Sequence, residues 1–531
     1  DTMRLPLLFL LFASFQAVNS YKILVYNSKF GHSHSNYLGQ IADILAEAGH
    51  NVTSLLPILD PAVRDCTEKS HKIHVQPDPI VKETYEKLDS NEDVNFFDMN
   101  QANPIVPLII GPMFSTLFSL TCKRVMEEPG LLEKLRDEKF DVMIGENFDV
   151  CGMGLSKFIA PKAMIGVSTT CIFGWQFPEF GIPQALSYQS IGLTANFDVH
   201  SIFSRIANIY GELIVRTMFW FSRRSVNLVL KERFGPEYPT VAELSSNVAY
   251  VFTNSEPLIE SAAPTMSRVI NVAGIGAKQP KKLDEYWDDI LNRRSKTILL
   301  SFGTIAKSVI MPTESKMGIL RAISKLPDVT YIWKYEDLED EFCKEHASKV
   351  PNLEMTKWMP QVDILAHPNL AAFITHGGMG STQETALRGV PGIFIPLFAD
   401  QPRNAGMMEF NGFGKVYSKW ELHDDEKLTE TIREVIESDK YRKNAKRISA
   451  MLAKKPFSSR ELLIKHVEFA AEFGPSAALR PQSVDMNFIE YYNIDIIALI
   501  GVVFLVFIFV ALKFVLHVLT KVVRVAKQKS D

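Results

Sequence analysis

Seventeen consecutive residues, Ile496 to Leu512, carry no charge, and this run restricts what the chain can become more than any other feature. A helix rises about 1.5 Å per residue, so the run is a short membrane span. Lys513 can extend its stem toward water and let Phe514, Val515 and Leu516 continue the apolar surface. Asp485, Glu490 and Asp495 precede the run, and Lys521, Arg524, Lys527 and Lys529 follow it. Positive charge marks the cytosolic side. The pattern predicts a transmembrane helix over 494–516 and a basic cytosolic tail over 517–531, with the bulk of the chain across the membrane.

The opposite end fits that topology. Arg4 precedes the apolar stretch Leu5 to Phe15, and small or polar residues follow (Ala17, Val18, Asn19, Ser20). This is the layout of a secretory signal peptide over 1–20, with Met3 as the expected start and cleavage near Ser20. The rest is then lumenal, and the sequon Asn51-Val52-Thr53 is open to glycosylation at Asn51. Lys527 and Lys529 resemble a dilysine retrieval signal of the endoplasmic reticulum, so a single-pass type I protein of that membrane is expected.

Composition narrows the class. The chain is 47% hydrophobic and 22% charged, enough to build a large core. A net charge of -4 gives no basic excess for nucleic acid. Five cysteines (Cys66, Cys122, Cys151, Cys171, Cys343) form no CxxC pair, which argues against a structural zinc site, and their pairing stays open.

After the signal, Tyr21 to Asn27 reads as a buried strand, then a Gly-His-Ser-His turn, then apolar residues at helical spacing (Leu38, Ile41, Ile44, Leu45) up to Gly49. Val52 to Leu59 follows as a second strand. Phe140 to Ile144 and Ala163 to Val167 read as later strands of one parallel sheet, and Phe203 to Phe234 as helices with an apolar surface. A second strand-helix series holds Thr297 to Leu300, Val329 to Trp333, Leu370 to Ile374 and Ile393 to Ile395. Two doubly wound units predict an α/β protein of two Rossmann-like lobes, with ligands at the carboxyl ends of the strands. The expected division is 21–277 for an acceptor lobe, 278–455 for a nucleotide lobe and 456–490 for a helical segment before the span.

The densest motif runs from Trp358-Met359-Pro360-Gln361 through Phe373-Ile374-Thr375-His376-Gly377-Gly378-Met379-Gly380-Ser381 and Glu384 to Pro396-Leu397-Phe398-Ala399-Asp400-Gln401. A strand ending at Thr375 and a Gly-rich turn opening a helix present free backbone N–H groups to a phosphate. His376 can donate to the same anion. Glu384, one turn into the helix, can accept from two ribose hydroxyls. Trp358 offers a flat face to a base.

This ensemble closely resembles the signature of the UDP-glycosyltransferase family, in its animal membrane-bound UDP-glucuronosyltransferase and glucosyltransferase branch. The likeness extends to the whole plan of leader, two lobes, span and tail. It implies the two-lobed GT-B fold and a UDP-sugar co-substrate, UDP-glucuronate or UDP-glucose, with no cofactor or metal. Its partners would be a small lipophilic acceptor and the membrane, with homo-oligomerisation left open. By that resemblance Trp358 stacks on uracil and Gln361 helps hold base or ribose. His376, Gly378, Gly380 and Ser381 lie on the diphosphate, Glu384 takes the ribose, and Asp400 and Gln401 take sugar hydroxyls. Ser301 and Thr304 belong to a second loop near the phosphates. Relatives often carry Asn where Gly380 stands, so its phosphate contact is expected to be weaker or rearranged.

A hydroxyl acceptor has a pKa near 10 or above on the tyrosine scale, so transfer gains from a general base. His32 and His34 stand in the first turn. In relatives the catalytic His lies sixteen residues before the His of a Gly-His pair; Gly49-His50 selects His34. Relatives orient that His with an Asp after a Phe-Asp-Val strand; here Phe140-Asp141-Val142 leads to Glu146, with Asp141 as second choice. The expected reaction is in-line displacement with inversion, metal-independent because no DxD-like acidic cluster stands where a metal would bridge the diphosphate. One alternative is a catalytically silent lumenal binding protein on the same fold, prompted by Glu146 and Gly380. A nicotinamide oxidoreductase is disfavoured because no GxGxxG follows the first strand.

Overall fold

The apolar runs become two parallel sheets. The computed structural model describes residues 20–89, 95–189 and 198–530. The expected signal peptide, apart from Ser20, lies outside the described residues. Among these, the first sheet has seven strands in the order β3-β2-β1-β4-β5-β6-β7. They are β1 (Lys22–Tyr26), β2 (Asn51–Pro57), β3 (His71–Val75), β4 (Val142–Glu146), β5 (Ala163–Ser168), β6 (Tyr250–Thr253) and β7 (Val269–Asn271). The second has six, β10-β9-β8-β11-β12-β13. They are β8 (Lys296–Ser301), β9 (Val329–Lys334), β10 (Leu353–Thr356), β11 (Leu370–Thr375), β12 (Gly392–Phe394) and β13 (Gly414–Val416).

Parallel strands covered on both faces read as unbroken apolar runs rather than alternating ones. Ile23, Leu24, Val25 and Tyr26 are all fully buried. Leu24 and Tyr26 face one core, shared with the helix Val106–Glu127; Ile23 and Val25 face another, shared with the helix His32–Glu47. In the second lobe Ile298 and Leu300 are separated from Leu299 in the same way. Strand β4 begins two residues later than the sequence suggests and so carries Glu146 at its carboxyl end.

Five strands escape the sequence reading. Four of them, β3, β7, β10 and β13, are sheet edges. Edge strands are half solvated and short, so they lack a continuous apolar run. The fifth, β6, is buried but only four residues long. The stretch read as several helices is one helix, Ile202–Phe234. It packs along Val106–Glu127, which a Cys122–Cys151 disulfide ties to the helix Cys151–Ile159. Cys66, Cys171 and Cys343 are free thiols.

The lobes meet through specific polar contacts. Gln383 Nε2 donates to Asn254 O (2.9 Å) and Oδ1 (2.8 Å), and its Oε1 accepts from Gly274 N (3.0 Å). Arg403 pairs with Glu260, and Lys455 with Glu256 at 2.7 Å. The helix Ser459–Phe473 returns to the first lobe, where Leu463, Val467, Ala470 and Ala471 join its core.

Pro481–Asp531 forms a separate unit. A short helix, Phe488–Tyr491, is capped by the Asn487 side chain, and the helix Ile494–Gln528 follows. The latter is long and apolar enough to cross a membrane. It continues as one helix through the basic residues of the expected tail.

Candidate active site

The candidate residues gather at the carboxyl edges of the two sheets, where α/β folds place ligands. His34 sits in the first turn of the helix that leaves β1, and Glu146 ends the neighbouring β4. A carboxylate can only accept, so His34 Nδ1–H donates to Glu146 Oε1, at 2.5 Å. Thr169 Oγ1 donates to the same oxygen at 2.6 Å and lies 2.8 Å from Nδ1. This leaves His34 Nε2 as the basic nitrogen. Burial pulls the His34 pKa down, but the charge and hydrogen bond of Glu146, with Asp400 from the other lobe, outweigh it and leave a net rise. Glu146 is 1% exposed and is held by this network.

Asp149 lies behind the pair, its Oδ1 accepting from Cys151 N at 3.0 Å. Burial first, and the Glu146 charge as well, push its carboxyl up to about 6. Aromatic rings surround the imidazole: Phe30 and Phe148 each lie 5.2 Å from it, and Phe118 and Phe219 pack on those two at 5.2 and 4.6 Å.

The other two candidates for these roles lie elsewhere. His32 is exposed, with partial burial first and then the Arg64 charge lowering its pKa. Asp141 stands at the opposite end of β4, accepting from Lys22 N at 2.8 Å. His50 is buried near Glu468, at 3.7 Å, in a packing role.

Across the cleft, β11 ends at Thr375 and the helix Met379–Arg388 begins after the turn. Gly377 has φ +80°, a conformation that favours glycine. The His376 ring lies between two glycine turns. A Cβ on Gly378 would fall 2.6 Å from its Nε2, and one on Gly303 would fall 2.7 Å from its Cε1. Desolvation first, then the Lys334 charge, lower the His376 pKa to about 4, against a hydrogen bond with the Ser301 backbone. Lys334 Nζ donates to Gly303 O at 2.6 Å, which brings an ammonium to the same loop. Ser301 is buried, with its Oγ accepting from Gly303 N at 3.3 Å, whereas Thr304 is exposed. Gly380 is exposed too, and a Cβ there would meet nothing within 4 Å. Ser381 is half-buried in the first turn of that helix.

Gln361 Nε2 donates to Glu384 Oε2 at 2.6 Å, and burial raises the Glu384 pKa despite that bond. Trp358 stands 74% exposed three residues before Gln361, an unusual setting for so large an apolar ring. Asp400 and Gln401 are buried at the start of the helix Gln401–Phe410. Gln401 Oε1 accepts from Leu397 N (2.9 Å) and Phe398 N (3.1 Å), so its amide nitrogen is the end left for a ligand. Asn404 Nδ2 donates to Asp400 Oδ2 (2.9 Å) and Gly377 O (3.1 Å), tying the start of the helix Gln401–Phe410 to the turn that follows β11.

The family described as "UDP-glucoronosyl and UDP-glucosyl transferase" matches residues 21–529. The chain belongs to that family. This UDP-glycosyltransferase is 28% identical over 498 residues to the putative UDP-glucuronosyltransferase ugt-47 of Caenorhabditis elegans, covering 90% of this chain and 89% of that one. It is 28% identical over 517 residues to UDP-glycosyltransferase UGT5 of Dactylopius coccus, covering 96% and 93%. It is 26% identical over 496 residues to UDP-glucuronosyltransferase 1A7 of Mus musculus, covering 91% and 89%. Among solved structures it is similar to the glycotransferase of kitacinnamycin (TM-score 0.58, 17% identity, 86% of this chain and 100% of that one). The calicheamicin glycosyltransferase CalG4 gives a TM-score of 0.55 at 16% identity, covering 86% and 100%. These likenesses establish the GT-B fold, two Rossmann-like lobes facing across a cleft. Family membership makes a UDP-sugar the co-substrate.

Sequence reasoning missed Thr169, Asp149 and Asn404 in this UDP-glycosyltransferase. Thr169 directly follows β5, so its place at a strand's carboxyl end was a usable signal. Asp149 and Asn404 had none beyond proximity to Glu146 and Asp400. Asn51 is exposed at the start of β2.

Proposed function

We propose that the enzyme transfers a hexose from UDP-glucose or UDP-glucuronate to a hydroxyl of a small lipophilic acceptor, with His34 as general base. The observation that carries this reading is the His34–Glu146 pair, within electrostatic reach of Asp400 on the other lobe. His34 Nε2 takes the hydroxyl proton as the oxygen attacks the anomeric carbon. The bond from that carbon to the phosphate oxygen breaks, and UDP leaves with its electron pair. Attack opposite the leaving group inverts the centre. The imidazolium that forms faces Glu146, which favours it.

On the donor side, the N-terminus of Met379–Arg388 offers N–H groups to the diphosphate as charge develops there. Trp358 stacks on uracil, while Gln361 and Glu384 hold base and ribose. Gly378, Gly380 and Ser381 approach phosphate by backbone, with Ser301 and Thr304 on the facing loop. Asp400 and Gln401 take the sugar. The diphosphate charge raises the proton affinity of His376, so donor binding is accompanied by partial proton uptake. The rings of Phe30, Phe148 and Phe219 support a flat, apolar acceptor.

The same reading puts the lobes in the lumen of the endoplasmic reticulum, anchored by the helix Ile494–Gln528, with Asn51 glycosylated. The Cys122–Cys151 disulfide suits that oxidising compartment.

The test is transfer of labelled sugar by the full chain in detergent. UDP-glucose and UDP-glucuronate compete over a panel of phenols, with and without chelator. Product from one preferred donor, undiminished by chelator, is expected. No product with either donor sinks the proposal, and loss with chelator sinks its metal-independent form.

A further inference from the structure

Between the helices Pro79–Asp89 and Val106–Glu127, the first lobe sends a short segment, Asn95–Met99, into the second. Phe97 is 3% exposed within the second lobe's core and meets Phe302 edge-on at 5.4 Å. Phe96 stacks on Phe398 with ring centroids 4.2 Å apart. Asn95 Nδ2 donates to Ile310 O at 3.1 Å. Phe302 lies in the loop Ser301 to Thr304, and Phe398 lies two residues before Asp400. One segment of the acceptor lobe therefore packs against both loops assigned to the donor.

Lys419 pins this arrangement. Its Nζ donates to Phe96 O (2.7 Å), Met99 O (2.6 Å) and Leu397 O (3.0 Å). An ammonium has three donors, and here all three go to backbone carbonyls. Two belong to the inserted segment and one to the sugar-side loop. Trp420 lies 4.7 Å below the same ammonium, and the charge of Asp98 acts on it too. Burial brings its pKa down to about 8, opposed only in part by Asp98. Burying a lysine against dipoles is costly, and an apolar side chain would fill the space at less expense. What an apolar side chain lacks is the ability to join three carbonyls from two segments.

We infer that Lys419 is a positioning residue for donor binding: it ties Asn95–Met99 of the first lobe to the loop 397–401, so that the sugar and phosphate loops are held ready for a UDP-sugar. This rests on the assignment of those loops to the donor in the proposed function. Among the described residues, the hydrogen bonds and ring contacts that Asn95–Met99 and the Lys419 side chain make with other residues go to Ile310, Leu397, Phe302, Phe398 and Trp420 and not to the expected uracil and ribose residues Trp358, Gln361 and Glu384, which separates the two halves of the nucleotide site experimentally. If loss of the pin leaves the loops competent about one-fifth of the time, donor affinity falls about fivefold.

The experiment measures equilibrium binding of UDP-glucose, UDP-glucuronate and UMP to the full chain in detergent, for wild type, Lys419→Met and Phe96→Ala. UMP carries the base, ribose and one phosphate only, so it reports the fold and the uracil half. Both variants are expected to weaken the preferred UDP-sugar about fivefold or more while UMP changes less than about twofold. Phe96→Ala keeps the lysine and serves alone should Lys419→Met fail to accumulate. Unchanged UDP-sugar binding, or a parallel loss for UMP, overturns the inference. Failure of wild type to bind any of the three overturns the donor-site reading itself, and the inference with it.

Discussion

His34 and His376 occupy similar places on the two lobes, each at a strand-to-helix turn facing the cleft, yet their surroundings drive them apart. His34 has Glu146 at 2.5 Å and Asp400 within reach, and its pKa rises although burial opposes this. His376 is half-buried between two glycine turns, and desolvation first, then Lys334, bring its pKa down to about 4. One imidazole is favoured in its protonated form and the other in its neutral form. The lesson is that the turn supplies position, while burial and nearby charge together set each ring's proton affinity.

Three measurements can break or sharpen this contrast. The largest effect is expected from His34→Ala, which should lower kcat by about 10²–10⁴-fold while leaving UDP affinity nearly unchanged. Single-turnover sugar transfer and UDP titration read the two quantities. A variant that still turns over at the wild-type rate removes His34 from the chemistry and ends the comparison.

The next effect belongs to Glu146→Gln. The carboxylate favours the imidazolium, so removing its charge lowers the His34 pKa. The acid limb of kcat/KM, which reports the free enzyme, should then move to lower pH. The plateau should fall by about tenfold or more, because the imidazolium formed during transfer loses its partner. An acid limb that stays in place, or moves to higher pH, contradicts the pairing as the source of the raised pKa.

The smallest effect concerns His376. A bound diphosphate should raise its pKa from about 4, so UDP binding takes up a fraction of a proton and tightens as pH falls. Each unit of pKa shift corresponds to about 1.4 kcal/mol, and near neutrality only part of that is expressed. Calorimetry in two buffers of different ionisation enthalpy measures the uptake, with His376→Gln as the control. Equal uptake in wild type and variant would leave His376 as a neutral spacer.

Residues close in sequence carried much of this molecule. The glycines around His376, the apolar runs of β1, β4, β8 and β11, and the uncharged run with its basic flank all express local rules of sterics and solvation. Such rules act over a few residues and survive without knowledge of the fold. The edge strands β3, β7, β10 and β13 were invisible because a half-solvated strand has no such local mark.

Convergence was decided elsewhere. His34 and Glu146 are 112 residues apart, and His34 and Thr169 are 135 apart. Family resemblance paired the first two, and the third carried only the local mark of a strand end, which named no partner. Lys419 meets the carbonyl of Met99 across 320 residues, and the Cys122–Cys151 bridge joins cysteines whose spacing carried no pairing information. Side chains set which surfaces are apolar and which turns are tight. Only the packing of two sheets, which brings their carboxyl edges face to face, determines which charges come close enough to shift one another's proton affinities, because that interaction falls with distance in space rather than along the chain.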